Sequence, residues 1–163
     1  MMAAHVTPLF LVALLLAAGS ALAAPTALET KLAQAKADPA VPFTVLYDDL
    51  HPFHGGMSIS VSRDGSIERV DVVRRKKSVT KARATPEQIS ALLDLLVEVG
   101  AWEQQIPERR MVHDESKATL AVSAGGQPGG FWEWYNDLAQ NARLIRVKAA
   151  LEQLAPAPAE ASP

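Results

Sequence analysis

The sequence predicts an α+β fold: an antiparallel sheet with two helices packed on one face, in the order strands, helix, strands, helix. Three observations carry this. Met57, Ile59 and Val61 alternate with Ser58, Ser60 and Ser62, the period of two of a half-buried strand. From Thr85 the period becomes helical, with Ile89, Leu92, Leu93, Leu96 and Val97 on one stripe. Ala118, Leu120, Val122 and Ala124 then alternate again, before Leu144, Val147, Leu151 and Leu154 share a last helical face. No G-x-G-x-x-G follows a strand to open a helix, and the alternation is too irregular for a doubly wound parallel sheet.

The first element is a targeting segment. Leu9 to Ala18 form a short apolar run, and Ala21 and Ala23 supply the A-x-A spacing of a signal-peptide cleavage site. Residues 1–23 are therefore expected to be removed between Ala23 and Ala24, which leaves a periplasmic or secreted protein. A membrane-spanning helix needs about 20 apolar residues, more than this run contains, so the mature protein is expected to have no transmembrane helix. Next, 24–41 reads as a leader with a short, loosely attached helix, opened by the capping box Thr26-Ala27-Leu28-Glu29 and stopped at Asp38-Pro39. Residues 42–154 then make one domain, and 155–163, rich in proline and alanine, reads as a disordered tail.

Within the domain, Pro42 to Tyr47 is β-rich, and Asp64-Gly65 makes a turn between the serine-alternating strand and Ile67 to Val73. Ser78 to Ala84 continues the meander. Thr85-Pro86-Glu87-Gln88 joins an N-cap threonine, a first-turn proline and a glutamine placed for a capping box, and Gly100 ends that helix. Gly125 to Gly130 reads as a flexible connection into the aromatic strand Phe131 to Tyr135, with Asn136 able to cap the final helix.

The chain of 163 residues is 48% hydrophobic and 21% charged, with 16 Lys+Arg against 18 Asp+Glu and no cysteine. A net charge of -2 argues against a strongly basic nucleic-acid binder. Without cysteine there is no disulfide framework, thiolate metal site or thiol nucleophile. No G-x-S-x-G elbow is present, and adjacent carboxylates such as Asp48 and Asp49 point to opposite faces of a strand. No cofactor is implied.

Three groups are candidate sites. His51, His54 and His113, helped by Asp49, Asp114 or Glu115, carry donors suited to zinc or another first-row metal, although His51-Pro52-Phe53-His54 sits on a loop and matches no metalloprotease motif. Arg74-Arg75-Lys76-Lys77 is the densest charge feature. From Arg69 to Arg83 seven basic residues meet one acidic residue, whereas Ala84 to Glu108 holds five acidic residues and no basic one. The expected reading is a lysine-rich edge strand partly neutralised by the acidic helix; the functional alternative is contact with an anionic surface, whether lipid headgroups, acidic glycan or nucleic acid. Trp132 and Trp134 share one strand face and are expected to fill the core, the alternative being an exposed aromatic surface that stacks on a sugar or docks a partner.

The succession Met57-Ser58-Ile59-Ser60-Val61-Ser62-Arg63-Asp64-Gly65, a basic strand, Thr85-Pro86-Glu87-Gln88-Ile89, a leucine helix ending Val99-Gly100-Ala101-Trp102, and His113-Asp114-Glu115 before a strand resembles a family of small exported bacterial domains of unknown function. The likeness covers about 43–154. It implies export and the α+β order, and transfers no activity. Many members carry a cysteine pair before the first hairpin, where this chain has Pro52-Phe53-His54-Gly55-Gly56. The expected function is thus a non-enzymatic exported binding or envelope-associated module; the alternative is a small metal-binding protein or metal-dependent enzyme using the loop histidines. Mature protein from the producing cell should begin at Ala24, as read by intact mass; retention of residues 1–23 in a cytoplasmic form would overturn the export reading.

Overall fold

Six strands form one antiparallel sheet in the order β4-β3-β2-β1-β5-β6. The computed structural model describes residues 26–51, 53–105 and 112–157. The expected signal peptide with its cleavage site, and the tail beyond residue 157, lie outside these residues. The elements are α1 (Ala27–Ala37), β1 (Phe43–Asp48), β2 (Gly56–Ser62), β3 (Ser66–Val73), β4 (Lys76–Arg83), α2 (Pro86–Glu98), β5 (Lys117–Ala124), β6 (Gln127–Trp134), a 3-10 turn (Tyr135–Gln140) and α3 (Ala142–Leu154). This is the predicted α+β class with the predicted alternation, plus one more helix in the core.

The sheet has two unlike faces because its strands alternate. Phe43, Val45 and Tyr47 of β1, Met57, Ile59 and Val61 of β2, Ala118, Leu120 and Val122 of β5 and Phe131 of β6 are buried on the inner face. Their registers place Ile59, Tyr47, Leu120 and Phe131 in one cross-strand row. Ser58, Ser60 and Ser62 alternate with the buried residues of β2 and point to the other face, where Leu46 is 40% exposed. Burying apolar area at about 25 cal/mol per Å² makes the inner face the main source of stability.

The helices begin and end where their caps dictate. Thr85 and Gln88 form the expected capping box of α2, and Ala101 N–H to Leu96 O with Gly100 N–H to Val97 O closes its C-terminus as a Schellman motif. Ile89, Leu92, Leu93 and Leu96 are buried, whereas Val97 is partly exposed, so the stripe is narrower than its sequence pattern. Arg143 of α3 donates to the carbonyls of Val99, Gly100 and Glu103 and lies 4.3 Å from the Phe131 ring centroid, joining both helices to β6.

Four expectations are corrected. The helix after Thr26 is no loose leader: its capping box forms as read, but Leu28, Leu32 and Ala35 are buried in the common core, and α1 packs on α2, β5 and β6. Three helices therefore attend the sheet, not two. Gly125–Gly126 alone makes the turn before β6, since Ala124 pairs with Gln127 and Gly129 and Gly130 lie within the strand. A two-residue hairpin loop with positive φ at both positions suits Gly-Gly, so no longer connection is needed. The cap of α3 is Asn141, whose Oδ1 accepts from Leu144 N–H, because a 3-10 turn occupies the residues after Tyr135. Finally, Ala155 is buried and its carbonyl accepts from Arg69 Nη1 at 2.7 Å, so the packed body continues past Leu154.

Leu32→Ala should destabilise the protein by about 2–5 kcal/mol, measured by urea unfolding, as for any leucine cut from a close-packed core. A loss below about 0.5 kcal/mol would return α1 to the status of a loose leader.

Candidate functional site

Antiparallel pairing brings every candidate group to one end of the sheet. There β3 passes into β4, β1 passes into β2, β5 begins and β6 ends. The basic run, the loop histidines, His113 and the tryptophans are thus spread across the same edge, spanned by strands about 4.8 Å apart.

The basic run forms the tip of the β3–β4 hairpin. Val73 pairs with Lys76, leaving Arg74–Arg75 as a two-residue loop with φ of 51° and 65°. Such a turn favours Asn-Gly or Gly-Gly, and the left-handed conformation costs an L-residue roughly 1–2 kcal/mol. Two arginines occupy it here. Arg74, Arg75, Lys76 and Lys77 are all exposed, and β4 is an edge strand as expected. The expected neutralisation by α2 does not occur. Asp94 pairs with Lys36 and Glu98 with Arg146, and among the described residues no carboxylate pairs with any of the four tip cations.

The loop between β1 and β2 is held from below by a buried polar cluster. Asp49 Oδ1 accepts from Met57 N–H at 2.7 Å, while Oδ2 accepts from the Tyr47 hydroxyl at 2.9 Å and Lys148 Nζ at 2.7 Å. Asp49 is buried and turned inward, so it is committed to the fold and is no helper for a metal. Above it His51 and Gly55 exchange backbone hydrogen bonds of 2.7 and 3.0 Å. His51 Nδ1 accepts from Phe53 and His54 N–H, which shapes the turn that carries both residues outward.

His51, His54 and His113 line one depression of about 300 Å³, together with Asp114, Glu115 and Tyr135. The His51 and His54 rings lie 4.5 Å apart, and Tyr135 lies 5.9 Å from His51. His113 stands almost wholly in solvent, 3.4 Å from its neighbour Asp114. Among the described residues no three His, Asp or Glu side chains converge where one ion could bind them.

Trp132 and Trp134 are not in the core as expected. They sit half-buried on the open face, T-shaped at 5.1 Å, because Phe131 and Glu133 take the inward positions of β6. Lys117 Nζ lies 3.7 Å from the centroid of Trp132 and 4.9 Å from that of Trp134, so a stacking sugar would have to displace it. On the second edge strand, β6, the Gln104 amide donates to Trp132 O and accepts from Trp132 N–H. Glu133 is buried and accepts from Asn141 Nδ2 and Trp134 N–H. The period of two puts Glu133 on the same face as Phe131, and that alternation is the one sequence signal of its inward position.

A larger groove, about 800 Å³, opens at the opposite end between α2 and the β2–β3 turn. Its cations are already engaged: Lys36 with Asp94, Arg63 with Pro39 O, and Arg83 with Asp64 O.

Burial, then the charge of Asp49 and its hydrogen bond, pushes the Tyr47 hydroxyl well above the ordinary tyrosine range. A group raised on folding contributes stability that is complete below its unfolded value, about pH 10, and lost as the pH rises beyond it. Thermal melts should therefore fall more steeply above pH 10 for the native protein than for Tyr47→Phe, which should itself be about 1–3 kcal/mol less stable at neutral pH. Equal slopes would place Tyr47 in contact with solvent. No protein-family model matches the chain, and no characterised protein matches it in sequence.

Proposed function

We propose that the protein is a non-enzymatic, exported binding module that holds an anionic component of the cell envelope through the β3–β4 hairpin. One observation carries this reading: four exposed cations without a carboxylate partner among the described residues, two of them in a turn conformation that disfavours their side chains. An edge strand needs charge only to repel other strands, and Lys77 and Lys81 within β4 already supply it. The two tip arginines add nothing to that task. Exposed cations that cost turn energy and gain no intramolecular pair are explained by an external anion. Export is supported by the apolar N-terminal run and by the resemblance to exported domains.

A second reading, a small metal-binding protein or metal-dependent enzyme, has one observation in its favour: His51, His54 and His113 line the same depression. The donors are not gathered to a point, which is why the anionic-partner reading is preferred.

Replacing Arg74, Arg75, Lys76 and Lys77 with glutamine should abolish retention on heparin resin at low salt and leave the thermal midpoint nearly unchanged, since exposed charges contribute little to folding. Unaltered retention, or a native protein held at low salt by neither heparin nor anionic vesicles, would overturn the reading. Metal content of the same native sample separates it from the second reading.

A further inference from the structure

The basic tip has apolar company. Among the described residues the most exposed large hydrophobic side chains are Phe53 at 75%, Val73 at 63%, Val79 at 50% and Val112 at 49%. Val73 immediately precedes Arg74, and Phe53 crowns the adjoining turn. That turn is pressed against the hairpin base: a Cβ on Gly55 would lie 2.0 Å from Val72 O and 3.8 Å from Val73 Cα. Val112 lines the same depression as His51 and His54. Three of the four most exposed apolar side chains therefore stand at the end of the sheet that bears the tip cations.

We propose that this end of the sheet docks on an anionic phospholipid bilayer, with Phe53 and Val73 entering the boundary between headgroups and acyl chains while Arg74, Arg75, Lys76 and Lys77 meet lipid phosphates. The inference rests on the anionic-partner reading and names the partner. A soluble polyanion is met by cations alone and would leave Phe53 in water. A protein interface buries its aromatic anchors in facing pockets, whereas Phe53 and Val73 stand on the tips of two adjacent turns. A bilayer interface takes both features together, since apolar residues enter it and long cationic side chains reach back to the phosphates. The inward bonding of Asp49 to Met57, Tyr47 and Lys148 gives the Phe53 turn a rigid base. Such docking places a folded domain on the membrane surface without a spanning segment, and among the described residues no helix is long and apolar enough to span one.

The test is co-sedimentation of the purified protein with phosphatidylcholine vesicles, with and without phosphatidylglycerol, alongside heparin retention. The native protein should bind only the vesicles containing phosphatidylglycerol. Each cation near an anionic leaflet strengthens binding by about fivefold, so the fourfold glutamine variant should lose vesicle binding by about a hundredfold or more. Phe53→Ser with Val73→Ser should lower vesicle partitioning about tenfold, through lost apolar transfer, and leave heparin retention unchanged. Phe53→Trp should bind vesicles at least as well as the native protein, because tryptophan favours the interface; this guards against reading a folding defect as a binding defect. Equal vesicle binding by the native protein and the double serine variant would overturn the membrane proposal. So would heparin retention without vesicle binding, and either result leaves the anionic-partner reading standing. Absence of both heparin and vesicle binding would overturn both.

Discussion

Asp49 is the point on which the candidate end of the sheet depends. A carboxylate removed from water costs several kcal/mol unless its lone pairs are satisfied, and here three donors satisfy it: a backbone N–H, a phenol and an ammonium. Each donor comes from a different place: Met57 from β2, Tyr47 from β1 and Lys148 from α3. The cluster therefore pins α3 across the sheet and fixes the start of the β1–β2 turn in one step. Losing Lys148 leaves the buried Asp49 charge unpaired, and losing the Tyr47 hydroxyl leaves one of its acceptor sites unfilled, which makes this layer less tolerant of change than the aliphatic rows beside it.

The layer is wider than one residue. Arg69 Nε and Nη2 donate to Asp71, and Arg69 Nη1 donates to Ala155 O, which ties the end of α3 to β3. Glu133, on β6, accepts from Asn141 at the start of the same helix. Asp71, Asp49 and Glu133 thus stand along one end of the inner face, and α3 lies over all three from its cap to its last turn. The rest of that face is apolar and is covered with the help of α1. A one-sided sheet of six strands needs that added helix, because an uncovered inner row would expose Leu120 and Phe131 to water.

The two hairpin tips follow opposite rules. Gly125–Gly126 adopts positive φ at little cost, and its turn is a passive link between β5 and β6. Arg74–Arg75 adopts the same kind of turn against its side chains' preference, held there by the full β3–β4 ladder from Ser66↔Arg83 to Val73↔Lys76. The ladder supplies the energy, and the cost is concentrated where the charge is. Two consecutive left-handed arginines at an exposed tip are a feature that pairing and packing do not themselves require.

Local chemistry made much of this legible from the sequence: the Thr26 and Thr85 capping boxes, the Gly100 stop, the alternating strands and the α+β class all depend on residues within a few positions of one another. Neighbouring residues sufficed for α2, α3 and the apolar faces of β1, β2 and β5, but not for β6, where Gly129 and Gly130 pair as strand and Phe131 and Glu133, not the tryptophans, face inward. Tertiary structure decided the rest, because it turns on residues far apart in the chain. Lys148 reaches Asp49 across 99 positions and Arg69 reaches Ala155 across 86, pairings that no spacing rule signals. The same holds for the acidic residues of α2: nearness in sequence pointed to the basic strand, but the helix packs beside α1 and α3, so Asp94 and Glu98 meet Lys36 and Arg146. Antiparallel register alone carried Phe53, Val73 and the four tip cations to one end of the molecule, because only the order of the strands determines which turns are neighbours.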